Sequence, residues 1–483
     1  MSLLKKTKMD KTKQKIAGAF LIAVFLAAFE GVVVSTAAPV IVKSLHNFEM
    51  LSWIFSLYLL TSAISTPIYG KLADLYGRKR MLIIGIIIFL IGSTLCGLSQ
   101  SMEQLILFRG IQGIGAGAIL TICFTMIGDI FTLEERAIVQ GGISTMWGVA
   151  GLIGPLLGGF LIDFLSWHWI FFINIPFGIF CIYILSKYVH EMKPTKLPTI
   201  DYLGAVLLSI VIGSFLYGVM NIGQENSISN ILFIASFIVA IIFYFQETRA
   251  KEPIVPLFIL NKNSIVINII TFCVSFILIS NSVYLPLHIQ SLMGYSATVA
   301  GLSLVTVSFA WFMSSLSLAR LMKRFDAKYI VMIASTILII SSYLLTFIDI
   351  DTPILLIPIL VFPFGFGFSG TLNTLIFIVQ DSVKYNQRGA AVGLNMLTRT
   401  LAQAIGVAVL GSAINIFTDD FIKAHNLYIS MQALYDNTLP QYHDMLQQAL
   451  LFALHNVYYI SVAIALICLV LAYFVPKYQV ENK

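Results

Sequence analysis

Long apolar runs, broken by short polar and basic segments, recur along the whole chain. An apolar run of 18 or more residues reads as a membrane-spanning helix. Fourteen such segments are predicted, at about 16–42, 50–71, 81–100, 103–129, 138–164, 168–189, 201–220, 229–247, 263–289, 297–320, 328–348, 354–380, 391–417 and 455–475. A buried helix of a soluble domain is a poor alternative, because the pattern repeats from end to end. In a bilayer each segment must be helical, since no water is present to satisfy a free backbone group. The expected fold class is an all-α integral membrane protein.

Against this pattern the polar exceptions stand out. Glu30 lies inside the first run, with more than ten apolar-flanked positions on either side. A carboxylate at that depth costs on the order of 3 kcal/mol even on lenient insertion scales. Protonation is the cheapest way to keep it there, so a role in proton-coupled transport is expected. Arg109 lies inside the fourth run. At 1.5 Å per residue its depth differs from that of Glu30 by about 6–9 Å, which a guanidinium can largely bridge. Two roles stay open for Arg109: tuning the proton affinity of Glu30, or bracing the bundle through backbone carbonyls. Arg399 lies inside the thirteenth run, and Asp381, at the end of the twelfth, is a candidate partner. Trp147 and Trp311 fall near mid-membrane, where an indole can stack on a flat cation. With Asn281, Tyr284 and Asn373 they are the candidate substrate contacts, although packing explains any single aromatic as well.

Composition and charge narrow the class. The chain has 483 residues, 58% of them hydrophobic and 11% charged, with mean hydropathy +0.92. Soluble domains average about 25% charged. Placing the N-terminus in the cytoplasm puts 25 of the 29 Lys and Arg on that side and leaves only Lys43 and Lys423 outside. This is a positive-inside distribution, and it accounts for the net charge of +6 without nucleic acid. Both termini are then cytoplasmic. The five cysteines all lie in apolar runs and have no metal-ligand spacing. The Lys-rich start resembles a signal-peptide n-region, but the run after it is too long for an h-region, so it is expected to remain as the first helix. No nucleotide-binding loop, metal motif or nucleophile elbow is present. No enzyme activity, cofactor or metal is expected.

Several motifs point to one family. Between the second and third segments the chain reads Gly70-Lys-Leu-Ala-Asp74-Leu-Tyr-Gly77-Arg78-Lys79-Arg80. This resembles the loop signature of the major facilitator superfamily. Gly70 would let two helices approach closely, Asp74 would cap the next helix or pair with a cation, and Gly77 would make the turn. Leu105-x-x-x-Arg109-x-x-Gln112-Gly113 resembles the second motif of that superfamily. Gly151-x-x-Gly154-Pro155-x-x-Gly158-Gly159 resembles the motif typical of its antiporters, and a kink is expected at Pro155. Trp169-Ile-Phe-Phe-Ile-Asn174-Ile-Pro176-Phe-Gly178 and Phe29-Glu30-x-x-x-Val34-x-x-Ala37-x-Pro39 are similar to blocks of its fourteen-helix drug:proton antiporters. The sequence departs from that pattern at the acid, which is Glu30 where the family has Asp, and at Val32 where it has Thr.

The resemblance implies two six-helix bundles, residues 1–190 and 263–483, with two additional helices and their linkers at 191–262 and a long outer loop at 418–454. A degenerate repeat supports it: Ala319–Lys328 aligns with Gly70–Lys79 at an offset of 249. Amphipathic pieces are expected in the outer loop. The implied activity is a monomeric, proton-coupled exporter of small lipophilic substrates in the cytoplasmic membrane. With a single acid near mid-membrane, exchange of one proton for one monovalent cation moves no net charge. Only the pH gradient then drives export, at about 1.4 kcal/mol per unit, and monovalent cationic or neutral substrates are expected. The rivals are a transporter of one specific metabolite or lipid, and a membrane sensor on a transporter scaffold.

Overall fold

The computed structural model describes residues 9–191, 201–222, 228–250, 253–255, 260–382, 388–427, 429–436 and 439–477. Within them the chain forms α1 (Lys11–Leu45), α2 (Leu51–Tyr76), α3 (Arg78–Gly97), α4 (Met102–Ile130), α5 (Leu133–Phe164), α6 (Trp169–Tyr188), α7 (Tyr202–Met220), α8 (Ile228–Arg249), α9 (Lys262–Leu292), α10 (Ala297–Arg324), α11 (Ala327–Leu345), α12 (Ile357–Asp381), α13 (Arg388–Ala424) and α14 (His443–Ala472). Thirteen of them are long and apolar enough to cross a membrane, and the apolar helix Leu203–Val219 lies within α7. Among the described residues there is no strand.

Short polar residues set the boundaries. The side chains of Ser101, Asn261, Ser296 and Asp326 each accept a backbone N–H in the first turn of the helix they precede. Thr132 and Glu135 form a reciprocal capping box at the start of α5. Glu135 also accepts Lys13 Nζ at 2.6 Å, and this hydrogen bond holds its carboxyl below the usual range.

Two helices depart from the regular pattern. α6 breaks near Ile173 into Trp169–Phe172 and Asn174–Tyr188. α9 is underwound at Ser280–Tyr284 and His288–Leu292, which are π-helical, on either side of Pro286. π-segments of this kind concentrate at functional sites. The outer loop is shorter than the sequence suggests, because α13 runs on to Ala424 and α14 starts at His443. A short helix, Gln432–Asp436, lies between them. Both flanking extensions bury apolar side chains, including Ile422, Leu446 and Leu450, and this burial overrides the polar composition of the segment.

Six helices, α1–α6, form one bundle and α9–α14 the other; α7 and α8 form a hairpin outside them. α5 meets α10, and α2 meets α13, across the bundle interface. The buried core is divided unevenly. On the face that carries the N-terminus, a core of Phe20, Val24, Phe89, Ile119 and Ile127 belongs to the first bundle alone. On the far face one continuous core joins Val34, Ile41 and Ile54 to Ile277, Leu304 and Val407 of the second bundle. Among the described residues the bundles are therefore closed on the far face and separate on the N-terminal face. Gly31, halfway along α1, is exposed and has no atom within 4 Å of a built Cβ.

Glycine makes the far-face closure possible. A Cβ on Gly159 would lie 2.4 Å from Thr298 Cα, and one on Gly301 would lie 2.3 Å from the carbonyl oxygen of Pro155. Both obstacles are backbone, so neither can move aside. Gly301→Val is expected to destabilise the protein by about 1–3 kcal/mol, as overpacking does elsewhere, read as a fall in melting temperature in detergent. An unchanged melt would show that α5 and α10 do not meet here. Gly154, by contrast, has ordinary space beside Val32, whereas a Cβ on Gly158 would lie 2.4 Å from Val33 Cγ2 of α1.

Candidate functional site

The center of the first bundle is polar and sealed. Its components come from five helices: Glu30 on α1, Tyr58 on α2, Ser93 and Cys96 on α3, Arg109 and Gln112 on α4, and Asn174 on α6. Glu30 is fully buried and Arg109 is 1% exposed. Arg109 Nη1 lies 2.5 Å from Glu30 Oε1 and donates to Gln112 Oε1 at 2.7 Å. Arg109 Nε donates to the carbonyl of Ile54 at 3.1 Å, and the guanidinium sits 4.0 Å above the ring centre of Tyr58. The second carboxylate oxygen of Glu30 accepts Asn174 Nδ2 at 2.8 Å. The same amide nitrogen reaches Ser93 Oγ at 3.0 Å, and Ser93 donates to Phe171 O at 2.8 Å.

One side chain thus pairs with the Glu30 carboxylate and also holds the backbone of α2. A buried ion pair tolerates desolvation only when further hydrogen bonds complete it. Here Gln112, Asn174 and the Ile54 carbonyl supply them. The set is left incomplete at two atoms, Gln112 Nε2 and Asn174 Oδ1, which are buried without a hydrogen-bond partner. Protonation of Glu30 would remove the negative charge that Arg109 faces. The guanidinium would then need another acceptor, and the free Asn174 Oδ1 belongs to the residue already bonded to Glu30.

Asn174, Ser93 and Tyr58 were not singled out from the sequence as site residues. The signal for Asn174 was an amide in an otherwise apolar stretch. Gln112 follows Arg109 by three positions, which places both on one face of a helix.

The other candidates are dispersed. Arg399 lies 5.7 Å over the ring of Trp311, and Trp311 contacts Phe368 at 6.1 Å between ring centres. Asn373 donates to Ser369 Oγ at 3.1 Å. Trp147 is 43% exposed. Tyr284 is fully buried; its hydroxyl donates to Val407 O at 2.9 Å and lies 3.3 Å from Ser52 Oγ. It is a strut of the far-face closure. Asn281 is buried on the same side, with Oδ1 unpartnered. No described contact joins Trp147, Asn281, Tyr284 or Asn373 to the Trp311–Arg399 pair. The side chains of Asp74 and Asp381 lie outside the described residues.

The loop motif is a joint on the N-terminal face. Gly77 has φ 98°, a backbone conformation that favours glycine, and it ends α2 and starts α3. The cap of α3 comes from the end of α6: Glu191 accepts the N–H groups of Lys79 at 3.2 Å and Arg80 at 3.1 Å. Lys79 Nζ reaches Ser186 O at 2.9 Å, and Arg78 forms an ion pair with Asp129 at the end of α4. Gly70 is not a close-approach point, since a Cβ there would meet Thr121 Cγ2 at an ordinary 3.5 Å.

A family model described as Major Facilitator Superfamily matches residues 20–407. The chain belongs to this superfamily. It is accordingly a multi-pass membrane transporter and not an enzyme. It is 32% identical over 418 residues to "Multidrug resistance protein 3" of Bacillus subtilis (strain 168), covering 85% of this chain and 81% of that protein. It is 30% identical over 445 residues to "Multidrug transporter protein MdtP" of the same organism, covering 91% and 81%. Among solved structures it resembles an inward-facing, occupied bacterial homologue of the human lysosomal transporter Spinster, with TM-score 0.67, 16% identity and 97% of each chain covered. It also resembles a D-xylose-proton symporter, with TM-score 0.64 and 15% identity over 97% of this chain and 99% of the other. These two share the fold.

Proposed function

We propose that this transporter is a proton-coupled antiporter that exports small lipophilic drugs, monovalent cations or neutral molecules, across the cytoplasmic membrane. The observation that carries this reading is the sealed Glu30–Arg109–Asn174 network, the one described acid buried deep within a membrane-spanning helix. The names of the relatives support drug efflux. The positive-inside distribution supports cytoplasmic termini. With that orientation the open face is the cytoplasmic one, and the bundles 1–190 and 263–483 are separated toward the side from which a drug is taken up.

In this reading substrate enters between the bundles from the cytoplasm. The bundles close behind it by rocking about the α5–α10 and α2–α13 contacts, and open on the far face. A proton from outside then reaches Glu30, weakens the pairing with Arg109 and resets the cycle. Arg399 and Trp311 are candidate wall residues of the second bundle; Trp147, Asn281 and Asn373 are further candidates. The motif Gly70–Lys79 and the glycines of α5 serve the rocking motion. The protein acts as a monomer, with protons, lipid and drug as its partners.

The test is transport by the purified protein in liposomes with an imposed pH gradient and ethidium as substrate. Uptake is expected to rise about tenfold per unit of gradient at equilibrium, since one unit supplies about 1.4 kcal/mol. A membrane potential without a pH gradient is expected to drive none. Absence of uptake would favour the exporter or symporter of a specific metabolite or lipid, and potential-driven export of a divalent dye would overturn one-for-one exchange.

A further inference from the structure

The second bundle carries a cation at depth with no acid to answer it. Arg399 lies about 16 Å along α13 from the start of that helix at Arg388. Trp311 lies about 20 Å along α10 from its end at Arg324, on the same face of the membrane. The two therefore meet at one depth, too far in for Arg399 to snorkel to the lipid headgroups.

The face of α13 that bears Arg399 is turned into the bundle. Asn395, one turn before it, donates through Nδ2 to Thr271 Oγ1 at 2.9 Å and Asn268 Oδ1 at 3.2 Å on α9. Ala402, on the same face, is fully buried. Trp311 is set from behind by α12. A Cβ on Gly365 would lie 2.5 Å from the backbone nitrogen of Trp311, so glycine lets the two helices close at this point. The indole ring lies beside Phe368, which is fully buried, at 6.1 Å between ring centres.

The two deep arginines are in opposite states. Arg109 has a carboxylate, an amide oxygen, a backbone carbonyl and a ring at 4.0 Å. Arg399 is half-buried and has the ring of Trp311 at a looser 5.7 Å. Among the described residues it makes no hydrogen bond and no ion pair. Glu30 and Arg109 cancel each other, so Arg399 gives this interior a positive charge. An ionised side chain at such depth marks a water-filled cavity or a ligand pathway. Its planar fork of donors matches a carboxylate at two points. The adjoining indole offers a face to an aromatic ring.

We propose that Arg399 and Trp311 form a carboxylate-recognition subsite: the guanidinium takes the carboxylate of a flat aromatic substrate, and the indole takes its ring. This rests on the drug-export reading above. Among the net-neutral substrates of that reading it selects zwitterions that carry a carboxylate on an aromatic system.

Rhodamine B and its ethyl ester test this, because they share one flat cationic ring system and differ in whether the carboxylate is free. Each dye, and ethidium, is dialysed to equilibrium against the full-length protein in detergent near neutral pH. The wild type is expected to bind rhodamine B about tenfold or more tightly than the ester, as a charge-assisted pair allows. Arg399→Gln is expected to bind the two dyes alike. It is also expected to melt no lower than the wild type, since removing an unpaired charge strands no partner. Arg399→Lys keeps the charge without the fork, and a preference of about threefold is expected. Trp311→Ala is expected to weaken both dyes. Equal affinity of the wild type for the two dyes, or a preference that survives in Arg399→Gln, would overturn the proposal. So would an Arg399→Gln variant that melts far below the wild type, which would make Arg399 a structural strut. Ethidium binding without a dye preference would sink this subsite alone, whereas binding of none of the three would sink the drug-export reading with it.

Discussion

Glu30→Gln is expected to abolish drug uptake driven by a pH gradient in proteoliposomes, lowering the initial rate by at least about a hundredfold, while drug binding stays within about twofold. Glutamine keeps the size of the side chain and can still accept from Arg109, but it cannot gain or lose a proton. The loss of coupling is therefore predicted to be complete, whereas the loss of structure is small. The geometry sets this split. Glu30 is fully buried inside the first bundle and bonded to Arg109 and Asn174, so it has no described route to direct contact with substrate. Equilibrium binding of ethidium alongside flux separates the two effects. Equal flux in wild type and variant would move the coupling site elsewhere, and loss of binding together with flux would make Glu30 a substrate ligand.

The second large effect is on stability. Arg109→Leu would leave the Glu30 carboxylate buried without its counter-charge, and would remove the guanidinium donors from Gln112 Oε1 and the Ile54 carbonyl as well. Breaking a buried pair from one side costs about 3–5 kcal/mol. The variant is expected to melt far below the wild type in detergent. Adding Glu30→Gln to Arg109→Leu removes the stranded charge and is expected to restore a large part of that loss, because the two sites share one interaction. Arg109→Lys keeps the charge but has no planar fork to serve Glu30, Gln112 and Ile54 together. It is expected to fall between the other two. If Arg109→Leu melts like the wild type, the ion pair does not persist in the membrane.

Much of the architecture was legible in the chain. The spacing of apolar runs is dictated by bilayer thickness, and each helix satisfies its own backbone, so span number and position follow from local composition. The capping box at Thr132 and Glu135 marks the start of α5 in the same local way. The outer loop reads longer in the sequence than in the structure, because Ile422, Leu446 and Leu450 extend two helices by docking onto distant neighbours, which periodicity alone does not register. The candidate site divides similarly. An acid and a guanidinium deep in apolar runs announce themselves by their cost. Asn174, Gln112 and Ser93 cost less to bury, so their partnership with Glu30 becomes visible only once α3, α4 and α6 are assembled. Tyr284 shows the converse: its depth alone suggests a substrate contact, and only the assembled helices show its hydroxyl bonding Val407 O beside Ser52 of the other bundle.

The sequence by itself determined that this is a membrane protein of the major facilitator type with a costly acid at Glu30, because hydropathy, insertion energy and short motifs act over a few neighbouring residues. Only the tertiary structure decided which groups satisfy that acid, and that the bundles are joined on one face and parted on the other. Those outcomes depend on contacts between residues far apart in the chain, where a difference of one helical turn separates a hydrogen bond from none.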